Sequence, residues 1–297
     1  MSAICANRTA QLLGGTVANF WRLVLAAVLL AVWAHTVGSG LEGSALPYFL
    51  LSGCVGFGLG DLALFQALPR LGSRLTVLLV QCLAAPFAGV CEWLWLGVGL
   101  SGFQILCGAT ILVGVAIALS PGPSVNPGSR RMVSGILYSL LAAFGQGFGA
   151  VLSRKAFAVA ESLGQSIDGP TAAYQRILGG LAVGGLFLWF VNRRQVRSWR
   201  GDNTDERSAR LDNSGKQWRM AWPWIVFNSL SGPALGVSCY QWALKTTPTG
   251  VVLPIVATTP LVVIPFAHFF EGDPLRARSL IGGVIAVVGA VVLVAVS

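Results

Sequence analysis

The chain has 297 residues, with 20 Lys and Arg against 11 Asp and Glu for a formal net charge of +9, yet only 10% of its residues are charged and 55% are hydrophobic. Soluble domains carry roughly 25% charged residues, and twelve of the charges here crowd into residues 192–219. What remains is too apolar to cover a water-facing surface, so the composition excludes an ordinary soluble enzyme and specifies an integral membrane protein. The basic residues sit in short loops between apolar runs, a topogenic pattern. They do not form the basic face that nucleic-acid binding needs, and no nucleic-acid partner is expected.

A bilayer core about 30 Å thick takes about 20 apolar residues per helix. Nine runs meet this, at about 17–36, 45–67, 73–96, 101–120, 132–155, 171–191, 220–244, 249–270 and 279–296. The runs are continuous and do not alternate every second residue, which excludes a β-barrel. Residues 1–15 are too few to span and lack the basic start of a signal peptide. Gly56 with Gly60, Gly145 with Gly149, and Gly180 with Gly184 are spaced to let helix backbones approach closely. Pro254, Pro260 and Pro265 predict a kinked helix. The six cysteines form no CxxC and lie mostly in apolar runs, as small buried side chains. His35 and His268 are far apart, with no metal-ligand spacing, and no cofactor is expected.

An internal repeat organises these runs. Gly97, Gly108 and Gly114 fall on Gly272, Gly283 and Gly289 in a constant register, and "LFQAL" at 64–68 matches "YQWAL" at 240–244. Upstream, Arg22 matches Arg176, and Arg8 matches Arg154. Residues 1–120 then form one half and 132–297 the other. The second half has about twenty residues of apolar helix before Arg154, but the first has only seven residues before Arg8, so the first helix is expected as its C-terminal end alone. The fold class is all-α: nine full transmembrane helices plus a partial N-terminal one, on a plan of five plus five. Halves with an odd number of helices enter the membrane in opposite directions, a common build for secondary transporters.

The two copies, from "GDLALFQALPRLGSRLTVLLVQCLAAPFAG" onward and from "CYQWALKTTPTGVVLPIVATTPLVVIPFAH" onward, resemble the drug/metabolite transporter superfamily, specifically its EamA-type members. The resemblance covers nearly the whole chain. In that family a helix with a mid-run proline, matched by Pro86 and Pro260, leads to a turn with an acid and then a Gly-rich helix. The turn acid is matched by Asp273 in the second copy, whereas Val98 stands there in the first. The resemblance implies ten helices and the export or exchange of small metabolites. It also implies both termini inside. The Lys and Arg distribution among the loops points the other way, placing the C-terminus outside.

Ionisable groups in hydrocarbon are costly, so the few inside the runs carry the functional argument. Asp61, mid-run after "GFGLG", reads as a cavity carboxylate for a cationic solute or a cycling proton, or else as a paired structural acid. Glu92, followed by Trp93 and Trp95 near a run end, reads as an interfacial group or else as part of the cavity mouth. Arg22 and Arg176 read either as cations snorkelling to the interface or as attractors of a carboxylate or phosphate. Arg154 and Lys155 read as the basic end of a helix. Gln81, Gln146, Tyr240 and Gln241 are polar groups near helix centres, with Trp242 and Tyr138 as core or cavity-floor residues. The expected solute-binding set is Asp61, Gln81, Gln146, Arg176, Tyr240 and Gln241.

The expected function is therefore a non-enzymatic, multi-pass cell-membrane carrier. It would export a small organic metabolite by alternating access through a central cavity. Its partners are a small-molecule solute and the lipid bilayer, with proton coupling and homodimer formation left open. The alternative is a non-transporting paralogue. An intramembrane enzyme is disfavoured, because two distant histidines supply no catalytic cluster.

Overall fold

The computed structural model describes residues 2–119, 130–198, 204–258, 261 and 277–296. The described residues form an all-helical bundle: α1 (Ser2–Leu13), α2 (Gly15–Thr36), α3 (Leu46–Gly53), α4 (Asp61–Leu96), α5 (Gly102–Leu119), α6 (Arg130–Ser162), α7 (Gly169–Ser198), α8 (Thr204–Ser229), α9 (Val237–Thr246), α10 (Thr249–Val256) and α11 (Ala277–Val296). Two wide-turn π segments join α3 to α4 (π1, Cys54–Gly60) and α8 to α9 (π2, Leu230–Gly236).

Among the described residues, five stretches are long and apolar enough to cross a membrane: Gly15–Thr36, Leu46–Gly72, Leu75–Leu96, Arg130–Ser162 and Gly169–Val191. Two shorter apolar helices, Gly102–Ala118 and Leu280–Ala295, match two further predicted runs. The run at 220–244 is helical but divided by π2. Half of the run at 249–270 lies outside the described residues, as do Pro260, Pro265, His268, Gly272 and Asp273. The bundle presents large apolar side chains outward, Val32, Leu94, Val284 and Val291 among them. Such a surface suits acyl chains and would be untenable in water.

Glycine sets the main breaks. Gly14 (φ 81°) separates α1 from α2, Gly72 (φ 77°) splits the long α4 into two spans, and Gly97 (φ 67°) ends it in the left-handed conformation that favours glycine. The helix after Gly97 opens with a reciprocal cap. Gln104 N–H donates to Ser101 Oγ (3.2 Å), and Ser101 N–H donates to Gln104 Oε1 (3.0 Å).

Helix pairing runs across the divide between residues 120 and 130. α2 packs on α7, α4 on α6, α5 on α11, α1 on α8, and α3 on α6 and α7. The largest apolar cluster draws on α3, α4, α6 and α10, with Phe49 and Phe157 edge to face at 5.0 Å. Members of the small-residue motifs sit at close crossings. A Cβ added at Gly145 would lie 2.8 Å from Gly60 Cα, and one at Gly180 would lie 2.4 Å from Phe57 Cβ. Gly53 is tighter still: its Cβ would fall 1.7 Å from the Arg176 carbonyl oxygen. Substituting Gly53 by Ala should therefore force α3 and α7 apart and cost more than about 2 kcal/mol. Gly89→Ala, which meets open space, should be neutral or slightly stabilising. Thermal denaturation of the two purified variants in detergent, beside the wild type, checks the contrast.

Candidate functional site

A cavity of about 930 Å³ opens within the bundle. Both halves wall it: α2, π1 and α4 contribute Arg22, Gly56, Asp61 and Gln81, while α6, α7, π2 and α9 contribute Gln146, Arg176, Pro233, Val237 and Tyr240. Each π segment carries an extra residue in its turn, a distortion that recurs at functional sites, and each ends where a helix begins to line the cavity. Asp61 follows π1 and Val237 follows π2.

Five of the six predicted ligands, Asp61, Gln81, Gln146, Arg176 and Tyr240, line this one cavity. Gln241 does not. It is fully buried behind the wall, and neither of its amide atoms has a hydrogen-bond partner. Trp242 neither floors the cavity nor packs in the core, since it is 69% exposed on the outer face. Consecutive residues on a helix differ by about 100°, so Tyr240, Gln241 and Trp242 face cavity, core and outer surface in turn. Tyr138 stacks beneath the Arg70 guanidinium at 4.8 Å from its ring centre. Asn228 Oδ1 accepts from Ser2 Oγ at 2.7 Å.

Charge is handled in three distinct ways. Arg22 and Asp61 form an ion pair; Arg22 Nε also donates to Asn19 Oδ1 at 2.9 Å, and its guanidinium lies 5.1 Å over the Phe65 ring. Arg22 is 8% exposed, so it does not snorkel to an interface. Away from the cavity, Glu92 is 2% exposed, which corrects its reading as an interfacial group. It accepts from Arg154 Nε (3.0 Å), from Thr249 N–H (2.7 Å) and from the Thr249 hydroxyl. A carboxylate at the start of α10 complements the exposed amides and the positive end of the helix dipole. Arg154 is likewise not at a helix end, because α6 continues to Ser162, and its Nη1 donates to the Leu244 carbonyl at 3.2 Å. Glu92 thus joins α4, α6 and α10.

Arg176 is the third case. It is 4% exposed, its Nε and Nη1 have no hydrogen-bond partner, and its guanidinium lies 5.1 Å over the Phe57 ring. Glycine makes room for it: a Cβ at Gly56 would stand 3.0 Å from Nη2, and one at Gly149 would stand 3.3 Å from it. The Tyr240 hydroxyl is also buried without a partner. Opposite in chemistry, Gln146 Nε2 donates to Gln81 Oε1 at 2.8 Å, tying α6 to α4 across the halves.

Several wall residues fall outside the expected solute-binding set. Gln104 lines the cavity, and its capping role was signalled by the Ser-x-x-Gln spacing of 101–104. Cys239 is an exposed cavity-wall thiol among cysteines that are otherwise buried or half-buried. Arg22 had a signal in its match to Arg176 in the sequence and in the need of Asp61 for a counter-charge. Among the described residues no group of His, Cys, Asp and Glu is arranged to hold a metal.

A polytopic helical membrane protein with an internal cavity that is walled from both halves and sets charged and polar side chains among apolar ones is built like a transporter. The sequence profile of the EamA-like transporter family matches residues 1–120 and 133–295, and the chain belongs to that family, within the drug/metabolite transporter superfamily. Two Pseudomonas proteins are similar over 98 residues, which is 33% of this chain and 76% of theirs. Each is described as a probable 4-amino-4-deoxy-L-arabinose-phosphoundecaprenol flippase subunit, ArnE. The one from Pseudomonas paraeruginosa PA7 is 30% identical and the one from Pseudomonas aeruginosa UCBPP-PA14 is 31% identical. A solved crystal structure superposes at a TM-score of 0.69 with 16% identity, over 99% of this chain and 92% of the other, a likeness of fold alone. The protein is a membrane transporter of the drug/metabolite type.

The Glu92 junction makes a direct prediction. Removing one partner of a buried ion pair costs about 3–5 kcal/mol, whereas replacing both by apolar groups costs far less. Glu92→Leu and Arg154→Met should each lower thermal stability sharply, and the double variant should recover most of the loss. A double-mutant cycle on unfolding in detergent measures the coupling.

Proposed function

We propose that the protein is a secondary transporter that exports a small organic metabolite across the cell membrane by alternating access. Residues 1–120 and 132–297 act as two inverted repeats around the cavity. The single observation that carries this reading is the cavity itself: both halves wall it, and its lining brings together Asp61, Gln81, Gln146, Arg176 and Tyr240, with unpartnered polar atoms on the last two.

Several correspondences support the repeats. The π segments begin at Cys54 and Leu230, in the same register that relates "LFQAL" to "YQWAL". Contacts are exchanged as a pseudo-twofold axis requires. Gly53 lies against the Arg176 carbonyl, and Ser229, the counterpart of Gly53 in that register, donates from its hydroxyl to the Arg22 carbonyl at 2.9 Å. Likewise α6 packs on α3, while α1, its counterpart by the Arg8–Arg154 match, packs on α8, the counterpart of α3. Rocking of one repeat against the other would open the cavity to each side in turn.

In this mechanism Asp61, Gln81, Gln146, Arg176 and Tyr240 contact the solute, and Gln241 supports Tyr240 from behind. The Arg22–Asp61 pair is the element that couples protons: protonation of Asp61 would release Arg22 and change the balance of charge in the cavity. The ArnE likeness is consistent with a role in moving solute through a bilayer. A non-transporting paralogue would have no reason to keep a buried, unpaired guanidinium and a free phenol on one cavity wall.

The test is flux. Proteoliposomes containing the purified chain should exchange a defined subset of a mixed metabolite pool, read by mass spectrometry of the trapped contents, and empty liposomes should not. Loss of selective exchange in folded protein would refute the reading. Asp61→Asn should lower flux by at least about tenfold, equivalent to about 1.4 kcal/mol, and flatten its dependence on pH. A variant that keeps the full pH profile would remove Asp61 from the coupling step.

A further inference from the structure

The two halves treat their matched arginines differently, and the difference has a single cause in the sequence. Arg22 in α2 and Arg176 in α7 are repeat partners. Arg22 finds its counter-charge on Asp61, the first residue after π1. The matching position after π2 is Val237, in the register that relates the two π segments. Val237 also lines the cavity. The second half therefore keeps the cation and lacks the acid.

The remaining cavity charge follows from this. Among the described lining residues the charged groups are Arg22, Asp61 and Arg176. Asp61 pairs with Arg22 and also lies within electrostatic reach of Arg176, so one carboxylate serves two guanidinium groups and one positive charge is left in excess. That charge sits on a guanidinium with two unpartnered nitrogens, and the Tyr240 hydroxyl, also unpartnered, faces the same cavity. A buried cation without a hydrogen-bonded counter-ion of its own is unfavourable, so the position is incomplete until an acceptor of negative charge arrives. Guanidinium N–H groups in a planar fork, with a phenol O–H beside them, match the oxygens of a carboxylate or phosphate.

We infer that Arg176, assisted by the Tyr240 hydroxyl, is an oxyanion subsite, and that the solute carries a carboxylate or phosphate which takes the place of the acid missing at Val237. The subsite selects solutes with one net negative charge in the part that enters the cavity. Gly56 and Gly149 are specificity residues through space alone, since a side chain at either would push the guanidinium from its seat. The solute assignment rests on the transport reading above, but the subsite is testable by binding alone.

The experiment uses the purified full chain in detergent at constant ionic strength. Thermal unfolding is followed in acetate, inorganic phosphate and a short-chain phosphatidic acid, each against chloride, with choline and glycerol as cationic and neutral controls. At least one oxyanion should raise the midpoint by about 3 °C at about ten times its dissociation constant. The arm that responds most strongly identifies a carboxylate, a free phosphate or a lipid headgroup as the source. Arg176→Gln should abolish the response. Val237→Asp should do the same while leaving the unliganded protein as stable as the wild type or more so, because the acid is then supplied internally. That variant keeps the test meaningful if Arg176→Gln fails to fold. An unchanged oxyanion response in Val237→Asp, or equal shifts with choline or glycerol, would overturn the subsite. Oxyanion binding without flux in proteoliposomes would leave the subsite standing and refute transport; selective flux of uncharged solutes would do the reverse.

Discussion

A charge within a bilayer must meet another charge, a set of hydrogen bonds or water, because hydrocarbon offers none of them. The structure is arranged around this constraint. The Glu92–Arg154 pair meets it by joining α4, α6 and the start of α10, away from the cavity wall. The Arg22–Asp61 pair meets it at the wall. Arg176 meets it only in part, through the face of Phe57 and the space opened by Gly56 and Gly149. The first arrangement holds the bundle together. The others leave chemistry available inside it.

Packing makes that arrangement possible. Side chains on the facing positions of π1 and α6 would leave no seat for a guanidinium, and helices that crossed at ordinary distances would not bring the Arg176 backbone against Gly53. The glycine-rich faces of π1, α6 and α7 shorten those distances. The wider turns of π1 and π2 place the next helix so that Asp61 and Val237 point into the same space. Close crossing and the seat of the guanidinium are therefore two consequences of one set of small residues.

Much of this was legible in the sequence. Long uncharged runs can be read as helices because length and hydropathy are properties of a segment by itself. The glycine spacings announced close crossings, and the repeat read from the sequence pairs Arg22 with Arg176, both of which line the cavity. Facing direction was less legible. Glu92 sits near a run end, which suggested an interface, but its partners Arg154 and Thr249 lie 62 and 157 positions away. Gln241 looked equivalent to Tyr240, yet one step along α9 turns it from cavity to core. The π segments have no hydrophobic period of their own; the glycines of 54–60 and Pro233 mark them only in hindsight.

The central claim is that one chamber, shared by both halves, opens alternately to the two sides of the membrane. Cys239 is an exposed thiol on the chamber wall and reports this directly when it is the sole cysteine left in the chain. In proteoliposomes of known orientation, an impermeant thiol reagent should modify Cys239 when supplied from either face, and cross-linking of the two halves should abolish access from one face while sparing the other. Reaction from one face only, unchanged by cross-linking, would contradict alternating access and leave a fixed pocket in its place.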